Sequence, residues 1–151
     1  MLDGAAFEVA PDAETNFNLF QVSSNAGRSG GIDAFVVRVR PNQDLCLALE
    51  GICAERKIRR GRIRGGVGSL IGAVFDDGRT VEPFVTEVFI RRGVIEPGVE
   101  GAPRAEVDVG LVAHTGEIAE GRLERGKNPV LITFELVIEV LEVTPNTGSA
   151  S

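Results

Sequence analysis

Apolar and polar residues alternate along residues 34–40, where Phe35, Val37 and Val39 interleave with Val36, Arg38 and Arg40. A period of two puts these sets on opposite faces of a strand. Pro41, which has no N–H to donate, ends it. The spacing then changes. Leu45, Leu49, Ile52 and Cys53 recur every three or four residues, which predicts a helix to about Lys57 with that stripe buried. Asn42 or Asp44 can cap its start. Glu50, Glu55, Arg56 and Lys57 are expected on or near its wet side. Residues 62–75 form an apolar run interrupted by Gly65, Gly66, Gly68 and Gly72. Glycine inside such a run marks a bulge or a close backbone approach. The stretch predicts a central strand entered through a glycine kink.

The remaining pattern is strands and turns. Asp77-Gly78 is a hairpin signal, with the return starting at residues 79–81. A strand is expected at 84–94, with Val88 and Ile90 apolar. A Gly- and Pro-rich loop follows at 96–103. Two further strands, 104–113 and 117–123, are joined by His114-Thr115-Gly116, and residues 126–129 turn the chain again. In the last strand, 130–143, Val130, Ile132, Phe134, Leu136, Ile138 and Val140 share one face. Leu131, Val137 and Leu141 share the other with Thr133, Glu135 and Glu139. A long strand apolar on both faces belongs inside a sheet. One helix against about seven strands, mostly linked by hairpins, predicts an α+β fold: a largely antiparallel sheet covered by the helix. Residues 1–33 read as an N-terminal arm ending in a Gly/Ser-rich linker, 34–143 as the main domain, and 144–151 as a polar tail expected to be disordered. The arm carries Phe17 and Phe20, which call for burial on a neighbouring subunit or on the domain itself.

The chain's 151 residues suffice for one domain with a core. No apolar run approaches the roughly 18 residues of a membrane span. The N-terminus lacks a signal-peptide pattern, so the expected location is the cytoplasm. Net charge is −6. A dedicated DNA-binding domain presents a basic face, because phosphate neutralisation drives its affinity, so this balance weighs against DNA binding. Cys46 and Cys53, seven positions apart on a helix, have Cα atoms about 10 Å apart. That is too far for a disulfide, and buried thiols are expected. Trp and Tyr, the usual stacking groups for single-stranded nucleic acid, are absent.

The chain's local chemistry starts at residues 56–64, where six of nine residues are basic. Arg59, Arg60, Arg62 and Arg64 are candidates for DNA or anion contact. On a strand, Arg60, Arg62 and Arg64 share one face, and the plainer expectation is that solvent or some of the 22 carboxylates satisfy them. Arg60-Gly61-Arg62 resembles the core of an AT-hook, but Ile63 stands where that motif has proline. His114, the only histidine, falls in a turn without a partner for metal ligation. Ser69 has no base placed near it, so no triad is arguable. Gly65–Gly68 lacks the Lys-Ser/Thr of a phosphate loop. Glu135 is a candidate buried carboxylate with a raised pKa, or a hydrogen-bonded structural one.

Three blocks occur in order: Gly65-Gly66-Val67-Gly68-Ser69-Leu70, residues 106–122, and Thr133-Phe134-Glu135-Leu136-Val137. Together they resemble the plants-and-prokaryotes conserved (PPC) domain over residues 35–143. The resemblance implies the same α+β fold, assembly as a homotrimer, and a role of the kind assigned to candidate DNA-binding or regulatory proteins. Many prokaryotic members carry His-x-His and Gly-Gly-His, three imidazoles of the kind a zinc site needs. The matching positions here are Glu106-Val107-Asp108 and Glu120-Gly121-Arg122, so all three histidines are replaced and no such cofactor is expected. Glu106 and Asp108, two apart, share a strand face. A hairpin centred on Thr115 sets Asp108 opposite Arg122, since 108 and 122 lie equally far from 115. An ion pair is expected there. A carboxylate or phosphate site using Arg122, and a divalent cation held by the carboxylates, remain open. The functional expectation is a trimeric DNA-associated or regulatory domain without demonstrable catalytic machinery. The alternative is a small-anion or metal-dependent, enzyme-like protein with its site at Glu106, Asp108 and Arg122; a structural assembly role is third.

Overall fold

A computed structural model describes the backbone of residues 6–11 and 18–23 and all of residues 33–145. In chain order the strands are β1 Ala6–Pro11, β2 Asn18–Ser23, β3 Ala34–Val39, β4 Ile58–Leu70, β5 Ala73–Val74, β6 Thr80–Val81, β7 Val85–Pro97, β8 Pro103–Ala113, β9 Ile118–Arg122 and β10 Val130–Val143. One α-helix, α1 (Leu45–Glu55), lies between β3 and β4. The chain divides into two units, Met1–Gly31 and Ile32–Ser151. The first holds an antiparallel hairpin, with Ala6 opposite Ser23 and Pro11 opposite Asn18. The expected linker at 24–31 and the tail at 146–151 lie outside the described residues. No described helix is long and apolar enough to cross a membrane.

The second unit is built on a six-stranded antiparallel sheet in the order β3-β10-β4-β7-β8-β9. The glycine-rich stretch becomes β4, inside the sheet, and two of its glycines show why. A Cβ on Gly68 would lie 2.5 Å from the Thr133 carbonyl oxygen and 2.6 Å from the Phe134 ring. The kink lies at Arg64 and Gly65. Val137 pairs with Gly65 and the next residue, Ile138, with Ile63, so Arg64 is an extra residue in β4, and Gly65 has φ +155°. A bulge of this kind bends and twists the strand.

The helix begins at Asp44, whose Oδ1 accepts from the Leu47 amide at 2.9 Å. Its other oxygen accepts from the Asn128 amide at 2.7 Å, tying the cap to the turn before β10. The helix stops at Glu55, before the expected Lys57, which takes a left-handed φ of +56°. α1 packs on β8 and β4. Leu45, Cys46, Leu49 and Cys53 join Ile63, Ile95, Val107, Val109, Phe134, Leu136 and Ile138 in the core. Burial, reinforced by the Asp44 and Glu50 charges, pushes the Cys46 thiol up to about 12; burial pushes Cys53 to about 11. Both thiols stay protonated and unreactive at neutral pH.

Three expectations need correction. Glu50 is not on the wet side of α1 but buried against the sheet. Its carboxylate accepts from the Ala105 amide at 3.1 Å and from Arg125 Nε at 2.8 Å. Ile132 does not share the buried face of β10. The register with β4 shifts between Val130 and Phe134, and the slack leaves Ile132 exposed. The loop expected at 96–103 is shorter, because β7 runs on to Pro97 and β8 starts at Pro103.

Candidate functional site on the open sheet face

The sheet face away from α1 displays every residue singled out at β8 and β9. Along β8, Ala105, Val107, Val109 and Leu111 are buried, which leaves Glu106, Asp108, Gly110 and Val112 for the opposite face. Gly116, at φ +86°, closes the turn that starts at His114. The register is the one a turn centred on Thr115 dictates: Asp108 faces Arg122, Gly110 faces Glu120, and Val112 faces Ile118. Arg122 Nε donates to Asp108 Oδ1 at 2.8 Å. Its Nη1 lies 3.0 Å from Glu106 Oε2, so one guanidinium holds both carboxylates. Arg92 approaches Asp108 from β7 at 3.8 Å.

This donor set does not fit a zinc-type ion. Arg122 places a permanent cation against both carboxylates, and no imidazole belongs to the group. The Arg122 hydrogen bond holds the Asp108 carboxyl below its ordinary 3.8, with the Arg122 and Arg92 charges adding to it, and Asp108 in turn raises Arg122. A depressed carboxyl contributes stability above its unfolded pKa and loses it as pH falls through the folded value. Stability should therefore drop in acid below about pH 3.8, and Asp108→Asn should flatten part of that drop. Urea unfolding from pH 5 down to pH 2 checks this, and an unchanged pH slope in the variant would refute it.

The basic segment is the first half of β4. Arg59 Nη1 lies 2.6 Å from Glu142 Oε1, and Arg60 Nε 3.0 Å from Glu142 Oε2. Arg60 also bonds Glu96, and Arg64 bonds Glu139. Arg62 stands opposite Glu139 in the register but makes no ion pair among the described residues. Carboxylates from β7 and β10 thus already hold three of the four candidate DNA contacts.

The other candidates have structural partners. His114 Nδ1 accepts from the Phe84 amide at 3.0 Å, and the His114 amide donates to the Phe84 carbonyl at 2.8 Å. Ser69 Oγ accepts from the Ile132 amide at 3.2 Å. Glu135 is exposed, 3.6 Å from Arg38, and is not a buried acid.

Sequence reasoning missed the apolar half of this face. Val67 pairs with Phe89, and both are more than half exposed. The Phe89 ring lies directly on Gly110, where no side chain would fit. Ile118 is 80% exposed. Phe89, Val112 and Ile118 border a shallow cleft of about 360 Å³ that reaches Arg79 and Glu120. A lone glycine between apolar positions of β8 was the available signal.

No family model and no curated protein matches this sequence. Solved structures do match in fold. A plant- and prokaryote-conserved (PPC) protein of Pyrococcus horikoshii aligns with TM-score 0.56 at 17% identity, over 76% of this chain and 85% of its own. A candidate DNA-binding protein of Bacteroides thetaiotaomicron gives 0.60 at 17%, over 76% and 81%. A metal-containing protein of Archaeoglobus fulgidus gives 0.58 at 16%, over 94% and 87%. The fold is PPC-like.

Proposed function

We propose that the chain is a homotrimeric PPC-type domain of regulatory kind, active in the cytoplasm and working through assembly, without catalytic machinery of its own. The observation that carries this is the open sheet face, where Val67, Phe89, Val112 and Ile118 meet solvent side by side. A contiguous apolar patch on a sheet is costly unless another surface covers it, and a cyclic assembly of identical subunits is an economical cover. Light scattering at micromolar concentration should give about three times the chain mass of 16.0 kDa. Phe89→Asp should return it to the single-chain mass. A single-chain mass for the unaltered protein would remove the reading.

A second reading is DNA association through Arg59, Arg60, Arg62 and Arg64. Its support is the arginine-rich first half of β4 and the fold shared with a candidate DNA-binding protein. The carboxylates on Arg59, Arg60 and Arg64, and the net charge of −6, weigh against it. Its signature is duplex binding that weakens steeply as salt rises.

A further inference from the structure

Strands β4 and β7 set arginines against one another on the open face. The register runs without a shift from Ile63 opposite Gly93 to Val67 opposite Phe89. Arg64 therefore stands opposite Arg92, and Gly65 opposite Arg91. Like charges directly across a strand pair repel. The carboxylates that offset them lie to the outside: Glu139 on Arg64, Asp108 near Arg92, and Glu120 2.8 Å from Arg91. Arg62, two residues before Arg64, is exposed and makes no ion pair among the described residues. Next to Arg64 and opposite Arg91 is Gly65, where an added Cβ would meet nothing within 4 Å. Bare backbone at Gly65 thus leaves a gap beside Arg64, Arg91 and Arg92, which carboxylates hold from the outside, with Arg62 on the same strand as Arg64.

We propose that this gap is a seat for a small oxyanion, a phosphate monoester or a di- or tricarboxylate, held by Arg62, Arg64, Arg91 and Arg92. An oxyanion takes paired N–H donors from guanidinium forks and converts the Arg64–Arg92 repulsion into attraction. Size follows from the surroundings. Glu139, Asp108 and Glu120 border the seat, with Glu106, Glu96 and Glu142 beyond. An extended polyanion crossing that ring meets repulsion on every side, whereas a compact anion stays within the arginines. The proposal does not rest on trimer formation, although the Val67–Phe89 pair of that reading lies only two residues along the strands from Gly65 and Arg91.

The test is thermal unfolding of the full chain with inorganic phosphate and, separately, citrate, at ionic strength held constant with sodium chloride. At least one should raise the melting temperature saturably. Arg62→Ala, which breaks no ion pair, should weaken the apparent affinity about tenfold or more, the effect of losing one charged hydrogen-bond donor. Lys127→Ala, in the turn before β10, should leave it unchanged. No saturable rise with either anion overturns the proposal, as does an affinity unaltered by Arg62→Ala. Tighter binding of a DNA duplex with the same Arg62 dependence also overturns it, by showing a polyanion surface in place of a small seat.

Discussion

Gly68→Ala should destabilise the domain by about 3 kcal/mol, lowering the melting temperature by roughly 10 °C. The new methyl would fall 2.5 Å from the Thr133 carbonyl oxygen and 2.6 Å from two carbons of the Phe134 ring. Neither neighbour can yield cheaply. Thr133 is backbone of β10, which pairs with β3 on one side and β4 on the other. Phe134 is fully buried. The natural control is Gly51→Ala, in the exposed middle of α1, where nothing lies within 4 Å. Relief of glycine's backbone entropy should stabilise that variant by about 1 kcal/mol. Urea unfolding at one protein concentration compares the two. A loss below about 1 kcal/mol for Gly68→Ala would mean that β4 slides aside and its glycines are not packing-driven.

Glu50→Ala should cost about 2–3 kcal/mol. Most of this comes from the Ala105 amide, which lies in a buried residue and has Glu50 as its side-chain acceptor. An orphaned buried amide loses its full desolvation energy. Arg125 adds less, because its side chain is 42% exposed and can turn to water once the carboxylate is gone. Glu50→Gln separates the two contributions. It keeps an acceptor for Ala105 and gives up only the charge, so its loss should be about 1 kcal/mol. Equal losses in both variants would instead place the energy in the Arg125 pair.

What could be read beforehand depended on local periodicity. The alternation at 34–40, the helix stripe and the two-faced apolar run at 130–143 all became the expected elements, because each rests on near neighbours in sequence. The Asp108–Arg122 pair was legible for the same reason: a short turn fixes the register of its hairpin. Partners far along the chain were not. Glu50 looked solvated on a helical projection, since nothing local announces Arg125, 75 residues later. The carboxylates on Arg59, Arg60 and Arg64 come from β7 and β10, so a basic run became a paired one only once the strand order was known. Ile132 was misplaced because a register shift is invisible to a pattern of period two. Phe89 was overlooked as part of a surface because its position depends on an absence, the missing side chain of Gly110.

The place of β10 also has a consequence for how the chain comes off the ribosome. Among the described strands, β3 pairs only with β10, and β10 fills the slot between β3 and β4. The first strand of the domain thus waits, unpartnered, for the last one to be synthesised. Until residues 130–143 emerge, Phe134, Leu136 and Ile138 are missing from the core and two strand edges stand open beside the gap. Such edges invite mispairing between nascent chains. A message truncated before Val130 would yield a chain with no shortened native state to fall back on, a natural substrate for chaperones and proteases.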